Sequence, residues 1–399
     1  MASIRVGALL CGACLCLPSG AAAAERLVWF GTSTGGKTGS EGIYVARFDD
    51  AAGTVSAPVL AAAARNPSFL ALHPRLPVLY AVAEVAGADG KPAGAVQAFA
   101  IDAATGALTA RSHRSSGGAG PCHVTVDDDG AVACAANYGG GSVICLGLAA
   151  DGDLAPVVTG TPGGLLEHGA GEPRAGADPR RQQRSHAHSI DPAPDGRFAI
   201  VCDLGLDTVF VHALDRRRAT LAPHSATRLQ AGAGPRHFAL HPRGGFGYCV
   251  NELDLTVTAF TFDPQAGTLA AVQTLPTLPD DVTDRRGFST AEIAVHPGGR
   301  FLYASNRGHD SIAMYAIDGT TGRLSFLGVE PIRGKTPRNF ALDPAGRFLL
   351  AGGQESGTVT VFAFDPATGR LAVTGSPVVV PAPTCITFAR QPLASRSSR

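Results

Sequence analysis

Residues Gly234 to Val257 read GPRHFALHPRGGFGYCVNELDLTV, and this stretch decides the fold because its pattern recurs along the chain. Each copy opens on a short polar segment that leads into an apolar run. A tight turn with His or Asp, Pro and Gly follows, then a second apolar run, a polar pair and a third run ending in Val or Ile. Two further clear copies span Thr290 to Ile312 and Thr336 to Val359.

Weaker copies begin near Asn66, Gly120 and Ser185, and a seventh opens at Pro383, close to the C-terminus. Apolar runs of about five residues between Gly, Pro and Asp turns favour short strands over long amphipathic helices. Repeats of roughly 40–60 residues that each hold several strands are typical of β-propellers. The sequence therefore predicts an all-β, seven-bladed β-propeller with four-stranded antiparallel blades.

The two ends of the chain are predicted to share the last blade. The copy that opens at Pro383 has room for a single strand, over 384–390. The missing strands should come from 27–30 and 42–48, near the other end of the chain. Closing a blade in this way removes two open sheet edges. We therefore expect one propeller domain over 25–390.

The first 24 residues have the pattern of a secretory signal peptide. Arg5 precedes an apolar stretch over 6–17, and alanines at 22–24 supply small residues before a cleavage site at Glu25. The apolar stretch is too short to span a bilayer comfortably. We therefore expect a periplasmic or secreted protein that has no membrane contact once the signal is removed.

Composition excludes some classes of partner. The chain of 399 residues is long enough for one propeller of about 50 residues per blade. Its 33 basic and 33 acidic side chains give a formal net charge of zero. Since no basic stripe is present, nothing favours a nucleic acid or an anionic membrane as partner. Residues 391–399 are predicted to form a disordered tail.

Six cysteines follow the predicted signal peptide, and most lie within strand patterns. We interpret them mainly as buried thiols that act as small apolar residues. Export permits disulfides, but the sequence leaves the pairing open. No Cys/His spacing suggests zinc, so no metal is expected. The six are Cys122, Cys134, Cys145, Cys202, Cys249 and Cys385.

The repeat also predicts which side chains line the central channel. In an antiparallel pair, the start of the innermost strand lies beside the end of the second strand. These positions from every blade therefore converge on one mouth of the channel. The predicted lining residues are Ser68, Glu84, Cys122, His123, Asn137, Tyr138, His186, His188, Asp203, Arg236, His237, Asn251, Glu252, Glu292, Asn306, Arg307, Arg338, Asn339, Gln354 and Thr384.

These residue types suit an anionic substrate whose reaction develops negative charge. Arginine binds carboxylate or phosphate by paired hydrogen bonds, and it can stabilise an oxyanion. Glutamate or histidine can act on water as a general base. From the pattern alone, a polar wall around water, with Arg–Glu pairs that only join blades, is an equally open interpretation.

Several motifs of the chain, spread over most of its length, point to a known family. They include NPSFLALHP (66–74), SHAHSI (185–190), GPRHFALHP (234–242), VNELDLTV (250–257), SNRGHDSI (305–312) and TPRNFALDP (336–344). With these motifs the chain resembles the lactonase family of seven-bladed β-propellers, which includes bacterial propeller-type 6-phosphogluconolactonases and is related in fold to fungal carboxymuconate-lactonising enzymes. The resemblance runs from about Leu27 to Phe388, and GPRH followed by VNEL and SNRGHDS is its most specific part.

The resemblance implies hydrolysis of a sugar-type lactone. The implied active site contains His186 or His188 together with Arg236, Glu252 and Arg307. Water would be activated by Glu252 or by one of the histidines, while the arginines hold the acyl oxygen and an anionic group, so that no metal or cofactor is needed. The expected substrate-binding residues are His123, Tyr138, Glu292, Arg338, Asn251 and Asn306.

Some alternatives stay open. A cycloisomerase of the muconate-lactonising kind and a non-catalytic, exported binding propeller are the rival functions. Because phosphogluconolactone is made in the cytoplasm, an export signal favours an unphosphorylated or carboxylate-bearing lactone.

The insertion over 160–184 either folds over the mouth or is a solvated loop. His237, His241 and His296 are interpreted as caps of strands or turns, and Glu252→Gln is expected to leave the melting temperature almost unchanged.

Overall fold

The computed structural model describes residues 25–35, 38–83, 94–156, 165–168 and 176–390. Within them the chain forms seven antiparallel sheets, and their innermost strands contact one another in a closed ring. This arrangement confirms the predicted seven-bladed β-propeller. The predicted signal peptide, the predicted tail and Glu84 lie outside the described residues. No helix in the described ranges is long and apolar enough to cross a membrane.

The strands of each blade run from the channel outward, and the blades follow the order of the sequence repeats. Blade 7 combines both chain ends, as β1 (Glu25–Thr32), β2 (Gly42–Asp49), β3 (Thr54–Val55), β4 (Val59–Ala63) and the last strand, β30 (Pro383–Phe388). Blade 1 holds β5 (Leu70–Leu72), β6 (Val78–Ala83), β7 (Ala95–Ile101) and β8 (Leu108–Ser115). Blade 2 holds β9 (Pro121–Val126), β10 (Val132–Asn137), β11 (Ser142–Gly147) and β12 (Leu166–Glu167).

The remaining four blades are each continuous in sequence. Blade 3 holds β13 (Ala187–Pro192), β14 (Phe198–Asp203), β15 (Thr208–Asp215) and β16 (Thr220–Arg228). Blade 4 holds β17 (Pro235–Leu240), β18 (Phe246–Asn251), β19 (Thr256–Asp263) and β20 (Thr268–Pro276). Blade 5 holds β21 (Ser289–Val295), β22 (Phe301–Arg307), β23 (Ser311–Ile317) and β24 (Leu324–Pro331). Blade 6 holds β25 (Pro337–Leu342), β26 (Phe348–Gly353), β27 (Thr358–Phe364), β28 (Leu371–Val373) and β29 (Val378–Val379).

Blade 7 closes the ring as the sequence predicts. The innermost strand β30 pairs with β1, so that Val28 lies opposite Phe388. At the end of the blade away from the channel mouth, the buried Arg26 side chain pairs with the Asp50 carboxylate at 3.0 Å. Its Nη1 also donates to the carbonyl oxygens of Ala389 and Arg390, at 3.0 and 2.8 Å. These bonds join the first strand directly to the end of the last one.

The apolar core lies between the blades, not on the axis of the ring. Each of seven clusters of buried apolar side chains is shared by two neighbouring sheets. Aromatic donors reinforce this packing: Tyr303 of blade 5 donates to the carbonyl of Gly369 in blade 6 at 2.8 Å. Gly369 has a φ of 72°, and a Cβ there would lie 2.2 Å from the ring of Phe301. Because the blades hold one another in this way, the axis is free to carry polar side chains.

One cysteine pair forms a disulfide, which departs from the expectation of mainly free thiols. Cys134 and Cys145 are directly opposed on β10 and β11, and their sulfurs are bonded. The other four cysteines that follow the predicted signal peptide are buried and take no part in this disulfide, as the strand pattern predicts.

Candidate active site at the mouth of the central channel

A β-bulge near the start of the innermost strand re-aims side chains in several blades. In blade 4 the pairing register shifts between Pro235 and His237, and equivalent shifts occur in blades 2, 3, 6 and 7. In a regular strand, successive side chains alternate between faces, whereas a bulge changes this direction locally. Arg236 and His237 are therefore both in the mouth cluster, where their side-chain nitrogens lie 3.2 Å apart.

Three arginines surround one buried glutamate at the mouth. Glu252 follows β18 of blade 4, and its Oε2 accepts a hydrogen bond from Arg236 Nε at 2.9 Å. Its Oε1 forms an ion pair with Arg307 Nη2 of blade 5 at 3.0 Å and accepts a hydrogen bond from Arg181 Nη2 at 2.6 Å. The structure thus brings together Arg236, Glu252 and Arg307 as the repeat predicts, and it adds Arg181, which the sequence pattern missed.

The three guanidinium groups determine the charge state of Glu252. Burial alone would raise the pKa of this carboxyl group, but the charges of Arg307, Arg236 and Arg181 outweigh burial and lower the pKa to about 2. A general base works best when its pKa lies near the operating pH. Glu252 is therefore better suited to hold the arginines in place than to accept a proton from water.

Arg236 also differs from its expected role. Its side chain is buried, and besides Glu252 it donates to the carbonyl oxygen of Ala291 at 2.6 Å. Burial, followed by the nearby charge of Arg307, lowers the pKa of Arg236 to about 9, so the group stays charged at neutral pH. With these contacts Arg236 orients Glu252 and His237. The half-buried Arg307, with 16% of its side chain exposed, is better placed to reach a substrate.

We expect Glu252→Gln to lower the free energy of unfolding by about 3–5 kcal/mol, because it leaves buried arginines without a counter-charge. The depressed pKa means that this stabilisation is present above about pH 4.5 and is lost as the pH falls toward 2. Thermal unfolding of both proteins across this pH range checks the prediction. Glu25→Gln is the matched control, because Glu25 pairs with Arg47 at the surface. Loss of such a surface ion pair lowers the free energy of unfolding by about 1 kcal/mol or less. Equal melting temperatures of wild type and Glu252→Gln near pH 7 would contradict the prediction.

His186 has the geometry of a general base. Its Nδ1 lies 2.8 Å from the carbonyl oxygen of Tyr138. Because a carbonyl can only accept, Nδ1 carries the hydrogen and Nε2 has the free lone pair. The imidazole stacks on the Tyr138 ring with a centroid distance of 4.5 Å. No hydrogen bond joins Nε2 to the described part of the chain, so this nitrogen is available to a water molecule or a substrate.

The other histidines of the mouth form a neutral, buried wall. The ring centroids of His123 and His188 lie 5.3 and 5.2 Å from that of His237, and Phe69 packs against His123 at 4.4 Å. Burial is the main reason why the pKa values of His123 and His188 are well below the usual range. The charge of Arg236 adds to this effect for both histidines. These imidazoles are therefore uncharged at neutral pH.

The interpretation of His237 as a cap is wrong. Its Nδ1 donates to Glu292 Oε1 at 2.8 Å, and its Nε2 accepts from Arg236. Asn339 donates to the second oxygen of Glu292, which links blades 4, 5 and 6. His241 and His296 do cap turns as predicted, because each donates from Nε2 to a backbone carbonyl of the next blade.

Two predicted substrate contacts are not supported by the structure. Asn251 donates to the hydroxyl groups of Thr256 and Thr258, and Asn306 donates to Thr277 and Ser311. Both amides are buried at the corner between the second and third strands. The corner needs a donor to hold its turn, and this requirement explains the recurrent Asn better than a substrate contact does.

Tyr138 and Arg338 do lie at the mouth. The Tyr138 hydroxyl accepts from Arg181 Nη2 at 3.1 Å. Arg338 is half-buried, and no hydrogen bond or ion pair joins its guanidinium to the described residues. Its charge contributes to lowering the pKa of both Arg236 and Arg307, which shows that the three cations share one region. Among the described residues, no cluster of three or more His, Cys, Asp or Glu side chains is arranged to hold a metal ion.

The closed ring of seven blades and its arginine-rich mouth define a propeller of the lactonase type. Residues 27–388 match the family described as lactonase, 7-bladed beta-propeller, and the chain belongs to this family. The 6-phosphogluconolactonase of Bacillus subtilis is 36% identical over 364 residues, which cover 91% of this chain and 98% of that protein. The 6-phosphogluconolactonase of Formosa agariphila is 31% identical over 78% of this chain and 85% of its own length.

A solved structure agrees with these relatives. The periplasmic gluconolactonase of Pseudomonas aeruginosa superposes with a TM-score of 0.81 and 32% identity. The superposition covers 92% of this chain and 99% of that protein.

Proposed function

We propose that this protein is a lactonase that opens an anionic, sugar-type lactone by hydrolysis at the channel mouth. The observation that carries the proposal is the excess of positive charge around Glu252. Three guanidinium groups share this one carboxylate, and Arg338 adds a fourth cation nearby. The names of the Bacillus and Formosa relatives support a lactone as the substrate.

The arrangement favours an anionic ligand on physical grounds. Burial lowers the pKa of Arg307, and the neighbouring charge of Arg338 lowers it further, whereas Glu252 opposes the effect. The arginines therefore repel one another, and a bound anion would relieve this repulsion. Glu292 offsets part of the charge of Arg236, but its two oxygens are bonded to His237 and Asn339. A carboxylate or a phosphate suits the paired donors of arginine.

The proposed reaction uses His186 as the base. Its Nε2 takes a proton from water, and the resulting hydroxide oxygen bonds to the acyl carbon of the lactone. Negative charge then develops on the acyl oxygen, where Arg307 stabilises it. The ring C–O bond breaks as the tetrahedral intermediate collapses, and the protonated His186 returns the proton to the leaving ring oxygen. The products are an open hydroxy acid and the enzyme in its starting state.

The decisive experiment is a hydrolysis assay on protein that begins at Glu25. Proton release is followed with 6-phosphogluconolactone, with a glucarolactone that carries a free carboxylate, and with neutral gluconolactone. We expect turnover, with a higher kcat/KM for an anionic lactone than for the neutral one. A muconate-type cycloisomerase would instead interconvert a lactone and an unsaturated acid, which product analysis distinguishes. Absence of turnover with every lactone would contradict the proposal and favour a binding propeller.

We also propose that the protein is exported. The composition of residues 1–24 supports export, and so does a structural neighbour that is named as periplasmic. The Cys134–Cys145 disulfide suits an oxidising compartment. We expect N-terminal sequencing of the exported protein to start at Glu25, because the small residues of a signal cleavage site lie immediately before it. Mature protein that starts at Met1 would contradict the periplasmic assignment.

A further inference from the structure

The insertion that precedes β13 contributes a side chain to the mouth, and it does so from an anchored position. Gln182 is fully buried in this segment. Its Nε2 donates to the carbonyl of Leu204 at 2.8 Å and to Asp207 Oδ1 at 2.7 Å, while its Oε1 accepts from the backbone of Asp178. Asp207 also accepts from Gly234 N, directly before β17. Residues 176–184 are therefore part of the mouth wall, and Arg181 is held next to Glu252.

Arg181 is redundant as a partner of Glu252. The two carboxylate oxygens already form ion pairs with Arg236 and Arg307, one each. The third guanidinium therefore adds positive charge beyond what the single carboxylate of Glu252 can neutralise. It is also the most accessible of the three, with 38% of its side chain exposed, against 16% for Arg307 and 2% for Arg236. Its Nη1 makes no hydrogen bond to the described residues.

We propose that Arg181 is a specificity-determining residue that binds the anionic group of the substrate, a phosphate monoester or a carboxylate remote from the lactone bond. The inference rests on the proposed lactonase function and assigns a role within that same site. Arg307 faces the reacting acyl group, while Arg181 faces the charged end of the substrate. The Tyr138 hydroxyl, which bonds to Arg181 Nε and Nη2, fixes the plane of the guanidinium so that its free edge stays open.

The test compares Arg181→Gln with wild type on the phosphorylated, the carboxylate-bearing and the neutral lactone. We expect KM for the anionic lactone that wild type prefers to rise about 10- to 100-fold, because a charge-assisted pair is lost. KM for neutral gluconolactone and kcat for both should change by no more than about threefold, since neither depends on the lost pair. Arg181→Lys keeps the charge and should recover part of the loss. Comparing KM for the phosphorylated lactone with KM for the carboxylate-bearing lactone shows which anion the site binds.

Arg180→Gln is the matched control. It removes the same charge from the adjacent position, but Arg180 is 90% exposed and pairs with Asp178. This variant should behave like wild type with every lactone. An equal loss on anionic and neutral lactones in Arg181→Gln would overturn the proposal, since Arg181 would then only position Glu252. Unchanged kinetics in Arg181→Gln would overturn it as well.

A binding measurement separates this proposal from the proposed function. Calorimetry with 6-phosphogluconate and with glucarate, which are ring-opened acids, needs no turnover. If wild type binds one of them and Arg181→Gln binds it at least about 10-fold more weakly, Arg181 binds the anion even where no lactone is hydrolysed. If Arg181→Gln and wild type bind equally, or if wild type binds neither acid, the assignment of Arg181 is wrong, whatever the outcome of the hydrolysis assay.

Discussion

Replacing His186 by glutamine is expected to lower kcat for lactone hydrolysis by about 10²- to 10⁴-fold, the range over which general bases contribute. The amide of glutamine can still donate to the Tyr138 carbonyl that now receives His186 Nδ1, so the fold should tolerate the change. What is lost is the lone pair on Nε2, and with it the acceptor for the proton of the attacking water. Steady-state kinetics and thermal unfolding of the same preparation check both points.

Two further histidine variants serve as a control and as a comparison between the two candidate bases. His296→Gln is a control away from the mouth, because His296 donates from Nε2 to the Gly346 carbonyl in a turn, and kcat should stay near that of wild type. His188→Gln decides between the two histidines of the HAHS stretch. If this variant loses turnover while His186→Gln keeps more than about a tenth of it, the base is His188 and the assignment to His186 is wrong.

Deleting residues 25–48 should abolish soluble protein. The deletion removes β1 and β2, so β30 loses its sheet partner and blade 6 loses the surface that covers it. Phe48 alone packs edge-on against Phe348 of blade 6 and Phe388 of blade 7, with ring centroids 5.5 and 5.3 Å apart. Unpaired strand edges beside exposed apolar surface favour aggregation.

The truncation is assayed by the soluble fraction after expression and by circular dichroism on heating. A control protein that lacks residues 391–399, the predicted tail, should remain soluble and melt cooperatively. A soluble and cooperatively melting protein without residues 25–48 would show that a six-bladed ring is stable, and that the N-terminal strands are not needed for closure.

Much of the fold could be predicted from the sequence because each blade repeats the same turn chemistry. Arg236 and Glu252 could be predicted as neighbours since one hairpin brings them together, and Arg307 follows from the same register in the next blade. Arg181 could not be predicted in this way, because its segment lies outside the repeat. Its place beside Glu252 depends on the buried anchor of the neighbouring Gln182, which the sequence does not reveal.

His237 and Asn251 show why pattern reasoning fails at particular positions. Simple alternation along β17 would separate Arg236 from His237, but the bulge at this point brings both side chains into one cluster. Asn251 stands at the predicted mouth position, yet its amide turns toward the third strand of its own blade. Side-chain direction at a strand end depends on local hydrogen bonds, which the repeat does not encode.

The closure of blade 7 sets the order of events in folding. Arg26 bonds to a carbonyl 363 residues further along the chain, and contacts between such distant segments form slowly because a large loop must close first. Blades 1 to 6 are each continuous in sequence and can assemble as the chain emerges, but the ring stays open until its last strand has been made. Until then β1 has no inner partner, so this interval is when the chain is most exposed to misassembly.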